Sequence, residues 1–351
     1  MARTLAVAPK VAGLAVLFAA LIALPYTVRF HQVDILIFLL INVIVVVSYR
    51  LITTTGEWSL GHVVMMGVGG YASALLAKKL GLAFWLSAPL GALITGLIAL
   101  VLSFPLFRMK GFYFLIGSFA AGEAIRRTWN AFRDPFGGPG GLVYIPSPEL
   151  TLPGLGAIDF AHPINFYFLT LVVMTVSLWL MYRVERSRVG LTFHAIHWQD
   201  DLAESVGVNI WRYKTLAFCI ASFFVGLAGA LVGHYLGTVN PPQFALAVML
   251  YALVWVIVGG TGTFAGPIIG VTVLTIVDEM LRQSEEQFEL VVRMIVEGLL
   301  DLEVGTVNMA VQRPLIYGVI LILMVRLLPH GLESLPAKVR GYLARRKERA
   351  P

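Results

Sequence analysis

Long apolar blocks, rather than alternating apolar and polar positions, organise this chain. No Asp, Glu, Lys or Arg falls between Lys79 and Arg108, and none between Lys214 and Asp278. A transmembrane helix needs about 20 consecutive, mostly apolar residues, so the pattern predicts a polytopic membrane protein. Ten segments are expected, at 11–28, 33–49, 58–77, 83–107, 111–128, 163–182, 215–236, 244–259, 267–281 and 314–328. The first follows Arg3 and Lys10 and reads as an uncleaved span. The eighth and ninth are separated by "GGTGTFAGP", Gly259 to Pro267, and read as full spans or as a hairpin of half-helices. The chain returns to the same side in either case.

Ten crossings put both termini on one side. Placing that side in the cytoplasm leaves most of the 26 Lys and Arg residues inside, in line with the positive-inside rule. Residues 129–162, rich in Gly and Pro, then face outward, and residues 183–214 form the longest internal polar connection. Residues 282–303 carry Glu285, Glu289, Arg293, Glu297 and Asp301 at spacing four. They predict an external amphipathic helix, either a solvated face or a docking surface. The expected organisation is a transmembrane domain over 1–335 and a basic cytoplasmic tail over 336–351. Five plus five segments are compatible with inverted repeats, although no internal sequence repeat is evident.

Composition agrees with this picture. The chain is 58% hydrophobic, against about 45–50% for a soluble domain, and only 13% charged. Its net charge of +6 is no nucleic-acid signal, because no basic stripe is interleaved with aromatics. The tail cluster of Lys338, Arg340, Arg345, Arg346, Lys347 and Arg349 instead suits an anionic cytoplasmic leaflet. Cys219 is the only cysteine, which excludes an intrachain disulfide and a cysteine-based metal site. No Gly-Lys dipeptide exists, so there is no Walker A loop to hold phosphates. The glycine runs "GVGGYA" and "GGTGTFAG" lie between apolar helices and lack dinucleotide-loop spacing. The chain reads as a non-enzyme.

Candidate functional residues stand out against the apolar background. The stretch "GEWSLGHVVMMGVGGYASALL", Gly56 to Leu76, opens with Glu57, Ser59 and His62. Ionisable groups in membrane segments tend to face a bundle interior or a cavity, so His62 is a path candidate. Glu57 is either a path residue or a cap at a helix N-terminus. About 140° separates the two on a helix, so a direct pair is not expected. Gly69, Ser73 and Ala77 repeat at spacing four, as do Gly70 and Ala74, which lets helices approach closely. Gly69 is kept as a path candidate beside that packing role. Glu123 and Arg127 suit an i, i+4 salt bridge, with an outer-vestibule role as the alternative. Thr261 and Gly262 are path candidates because irregular backbone at membrane depth is tolerated where it lines protein or a cavity. In the polar connection, Asp200, Asp201, Leu202, Ala203 and Glu204, followed by Gly207, predict a short helix with a glycine stop.

That segment carries a resemblance. Asp201-Leu202-Ala203, three residues, then Gly207 resembles the E-A-A-x-x-x-G coupling signature of ABC-importer permeases. The stretches "SLGH" (Ser59 to His62), "FGGPGGL" (Phe136 to Leu142), "GVNIWRYKTLAF" (Gly207 to Phe218), "GLAGAL" (Gly226 to Leu231) and "GGTGTFAGPIIG" (Gly259 to Gly270) resemble the LivM-type permeases for branched-chain amino acids. The resemblance implies an all-α type II importer fold with about ten helices in a bacterial inner membrane, and no cofactor in this chain. It also implies a LivH-type second permease, two separate ATPase subunits and an external solute-binding protein. The Asp200–Gly207 segment becomes the ATPase contact. Glu57, where the family more often has a neutral residue, and Trp58 depart from the pattern. They leave open a urea, short-amide or aromatic-acid ligand. A proton-coupled secondary transporter using Glu57, His62 or Glu123 is the reading from another class.

Overall fold

The computed structural model describes residues 8–152, 156–283, 319, 326 and 331–334. Helices dominate. In chain order they are α1 (Ala8–Thr27), α2 (Phe30–Thr53), α3 (His62–Leu80), α4 (Phe84–Leu106), α5 (Phe112–Ala131), α6 (Pro163–Glu185), α7 (Arg188–Trp198), α8 (Asp200–Ser205), α9 (Ile210–Leu236), α10 (Leu246–Gly259) and α11 (Gly266–Gln283). Each expected segment from 11–28 to 267–281 coincides with a helix. The tenth, 314–328, lies outside the described residues apart from the helical positions 319 and 326. The expected insert at 282–303 beyond Gln283 and the tail at 336–351 also lie outside them. Six stretches among the described residues are long and apolar enough to cross a membrane: His31–Thr53, His62–Leu80, Phe84–Leu106, Pro163–Glu185, Ile210–Leu236 and Pro241–Gly259.

The solvent around the bundle is written into α4. Between Phe84 and Leu106, buried at its two ends, its buried positions are small or weakly polar: Ser87, Ala88, Gly91, Ala92, Thr95, Ala99 and Ser103. Its exposed positions include Leu86, Leu93, Leu97, Val101 and Phe104. A helix in water would reverse that order. In a bilayer, lipid accepts large apolar side chains and small residues let backbones approach. Sequence and surface together define a multi-pass membrane protein.

Helix α9 is the central post, packed against α3, α4 and α2. The approach to α3 is close enough to exclude side chains. A Cβ at Gly69 would stand 2.1 Å from the Gly226 carbonyl oxygen, and one at Gly229 would stand 1.8 Å from that of Met66. The spacing-four small residues of α3 are therefore a helix crossing. Helix α2 packs on α6, and α10 and α11 form an adjoining antiparallel pair.

Successive helices run up and down, so their ends sort into two groups. One end gathers the α2–α3 connection, α7, α8 and the α10–α11 turn. There Gly56 lies against His197, and Arg50 Nε donates to the Thr261 carbonyl at 3.0 Å. At the opposite end, Lys78 Nζ donates to the Val143 carbonyl at 2.6 Å, and Trp85 Nε1 donates to that of Glu149 at 2.9 Å.

The expectation of an all-α chain needs one correction, at this opposite end. Two short antiparallel ladders are present: β1 (Leu142–Val143) with β4 (Thr238–Val239), and β2 (Glu149–Leu152) with β3 (Gly156–Asp159). After α5 the Gly- and Pro-rich connection holds a four-residue helix, Arg133–Phe136, and its backbone groups are satisfied partly by strand pairing.

Candidate functional site

The first α8 end feature is the helix itself. Asp200 and Asp201 occupy its first turn, where carboxylates complement the helix dipole. The helix stops as expected, with Gly207 at φ +88° and the Val208 N–H donating to the Ala203 carbonyl at 3.1 Å. Ala203 turns inward and is buried, whereas Leu202 and Val206 are 62% and 75% exposed and Trp198 just before them is 84% exposed. Asp201 and Glu204 also face outward. The polar connection thus turns three large apolar groups outward around α8.

Beneath α8, charge is concentrated on one buried ammonium. Lys214 Nζ donates to Asp200 Oδ2 at 2.7 Å and to Glu57 Oε1 at 2.8 Å. Lys214 and Glu57 are 6% and 3% exposed. Glu57 is thus neither a helix cap nor a free carboxylate, since α3 begins only at His62 with Gly61 as its cap residue. Beside the triad lies a cavity of about 410 Å³ lined by residues including Lys110, Glu204 and Trp211.

A second ionic node ties three elements together. Arg50 at the end of α2 makes a bidentate pair with Glu185 at the end of α6, at 2.5 and 3.0 Å. Its Nε holds the Thr261 carbonyl. The neighbouring turn is held by Glu333, whose carboxylate accepts from the N–H groups of Gly262 and Thr263 at 2.9 and 2.8 Å. Thr261 and Gly262 therefore sit in the turn at the α8 end of the bundle, and Gly262 is exposed.

Residues 57–61 form a non-helical lead-in to α3, with Glu57, Ser59 and Gly61 buried and Trp58 and Leu60 partly so. The Leu60 N–H donates to Ser118 Oγ at 3.0 Å, and Ser59 Oγ accepts from the Gly61 N–H at 3.3 Å. His62 is fully buried. Its Nε2 lies 3.0 Å from Ser48 Oγ, whose hydroxyl donates to the Val45 carbonyl. The ring Nδ1 is buried with no hydrogen-bond partner. Tyr49 Oη, Thr215 Oγ1 and Ser222 Oγ are buried without partners as well.

The path candidates are not gathered into one place. Glu57, Ser59 and His62 lie along one lead-in and helix start. Gly69 is taken up by the crossing with Gly226. Glu123 sits towards the far end of α5, bound by Arg126 at 2.6 and 2.8 Å and by Arg127 at 2.8 Å, so the anticipated i, i+4 pair is present. Four participants escaped sequence reasoning: Lys214, Arg50, Glu185 and His234. The last is buried, with Nε2 2.9 Å from Ser73 Oγ and Nδ1 2.7 Å from the Pro146 carbonyl. Its position inside an uncharged block was the available signal.

A bundle with an inverted apolar surface, a polar interior lead-in and a short polar helix at one end has the build of a multi-pass membrane protein. A family model described as branched-chain amino acid transport system / permease component matches residues 32–326, and the chain belongs to that family. Among its relatives, the high-affinity branched-chain amino acid transport system permease protein LivM of Salmonella typhimurium LT2 is 28% identical over 284 residues, covering 76% of this chain and 67% of the relative. LivM of Escherichia coli K12 is 27% identical over 292 residues, covering 78% and 69%. LivH of the same strain is 28% identical over 113 residues, covering 32% of this chain and 34% of LivH.

Proposed function

We propose that this permease passes branched-chain amino acids across a bacterial inner membrane by alternating access, paired with a second, LivH-type permease. Two ATPase subunits drive it and an external solute-binding protein feeds it. The family match over residues 32–326, with LivM relatives aligned over about three quarters of the chain, carries this reading. The shorter LivH alignments support a homologous second permease. On this reading the fold is the type II importer fold with about ten spans, and both termini and the α8 end are cytoplasmic. The outward apolar groups of α8 support an ATPase contact there. A driver shifts a two-state equilibrium only if it interacts differently with the two states. A projecting helix gripped by an ATPase meets that requirement.

Glu57 is paired with Lys214, so its charge is already offset and gives no reason to prefer a cationic ligand over a branched-chain zwitterion. Reconstitution with the partner subunits and labelled leucine tests the proposal. Uptake should require ATP and the binding protein and should persist with a protonophore. Uptake that ignores ATP and collapses with the proton gradient would establish the secondary-transporter reading instead.

A further inference from the structure

Resting on the importer reading, we propose that Lys214 is a positioning residue that carries movement of α8 to the lead-in of α3. Its ammonium holds Asp200 on one element and Glu57 on the other, at 2.7 and 2.8 Å. Lys214 lies in the second turn of α9, which is fixed by its packing on α3 and α4. The two carboxylates belong to less anchored elements. Helix α8 has one buried residue, Ala203, and is flanked by extended Gln199 and left-handed Gly207. Glu57 begins the non-helical stretch that leads to His62 inside the bundle. No other described side chain ties α8 to that stretch through paired ionic contacts of this kind.

The charge count makes the triad more than a clamp. One cation serves two carboxylates, and Glu57 Oε2 is buried without a hydrogen-bond partner. Asp200 is the more exposed of the two carboxylates, its side chain 26% exposed against 4% for Glu57, so its link to the ammonium is the weaker one and the one that yields when α8 moves. The adjoining cavity of about 410 Å³, which both Asp200 and Glu57 line, gives room for that withdrawal. The triad thus has two arrangements, one with α8 held down and one with it released. Such a two-state element is what coupling between distant sites needs.

The test uses the full complex with its ATPase and binding protein, and reads solute moved per ATP hydrolysed beside the yield of assembled complex. Lys214→Met should assemble and hydrolyse ATP while solute per ATP falls about tenfold, within the usual range for coupled sites. Lys214→Arg should restore it. Asp200→Ala should lower the ratio alone, and should add nothing in the Lys214→Met background, because both remove one link. A purely structural lysine would lower the yield and leave the ratio of the assembled complex unchanged, which overturns the proposal. If Lys214→Met does not assemble, Asp200→Ala decides: an unchanged ratio overturns the proposal and a lowered one supports it. A lack of ATP-driven uptake by the unaltered complex would sink the importer reading itself, a separate failure from equal coupling in all variants.

Discussion

Arg50 is the largest fully buried side chain among the described residues, and its guanidinium fork is fully used. Two nitrogens meet Glu185 and the third meets the Thr261 carbonyl. Lysine has one point charge and cannot reproduce this geometry, so Arg50→Lys should not preserve stability. Removing one partner of a buried pair leaves an uncompensated charge. Glu185→Gln should therefore lower stability by about 3 kcal/mol, seen as a lower thermal midpoint in detergent. Gly207 behaves differently. Its φ is +88°, yet nothing lies within 4 Å of where a Cβ would stand. Gly207→Val should cost about 1–2 kcal/mol of local backbone strain without a clash. Insertion should be normal while solute moved per ATP falls, and full coupling in that variant would contradict the role of α8. At this scale the sequence was legible where partners are close. Glu123 and Arg127 are four apart and were anticipated. Lys214 and Glu57 lie 157 positions apart, and Arg50 and Glu185 lie 135 apart. Only the folded bundle brings such charges together, and nothing in a single sequence marks them as partners.

Among elements, the α3–α9 crossing is the most demanding. Gly229 meets the Met66 carbonyl where a side chain would stand, so no rotamer change relieves a substitution. Gly229→Leu should separate the helices and abolish recovery of folded protein, whereas Gly140→Ala, at an open site with no left-handed backbone, should be recovered in near-normal amounts. Comparing monodisperse yield by size-exclusion chromatography checks both. Helix existence was readable from hydropathy because each of the nine apolar blocks among the described residues corresponds to a helix. Boundaries were less so. The block expected at 58–77 begins with non-helical chain up to Gly61, and its helix starts at His62. Residues 57–61 are buried in either conformation, so hydropathy does not distinguish them. The block expected from 215 starts at Ile210, where Asn209 Oδ1 accepts from the Arg212 N–H at 3.0 Å, a cap that composition obscured. The short ladders at Leu142–Val143 and Glu149–Leu152 were missed because two- and four-residue strands carry no periodic signal.

For the whole molecule, alternating helices place α8 at one end of the bundle and the β-ladders at the other. The central claim is that the α8 end meets an ATPase in the cytoplasm and the opposite end meets a solute-binding protein outside. Leu202 and Tyr144 are well placed to test it, being 62% and 89% exposed at opposite ends. With Cys219→Ser removing the only native thiol, Leu202→Cys or Tyr144→Cys can be cross-linked by a short thiol reagent in the assembled, functional complex. The account predicts that Leu202→Cys joins the ATPase subunit and Tyr144→Cys does not. A complex in which Tyr144→Cys captures the ATPase, while Leu202→Cys captures none, would contradict it.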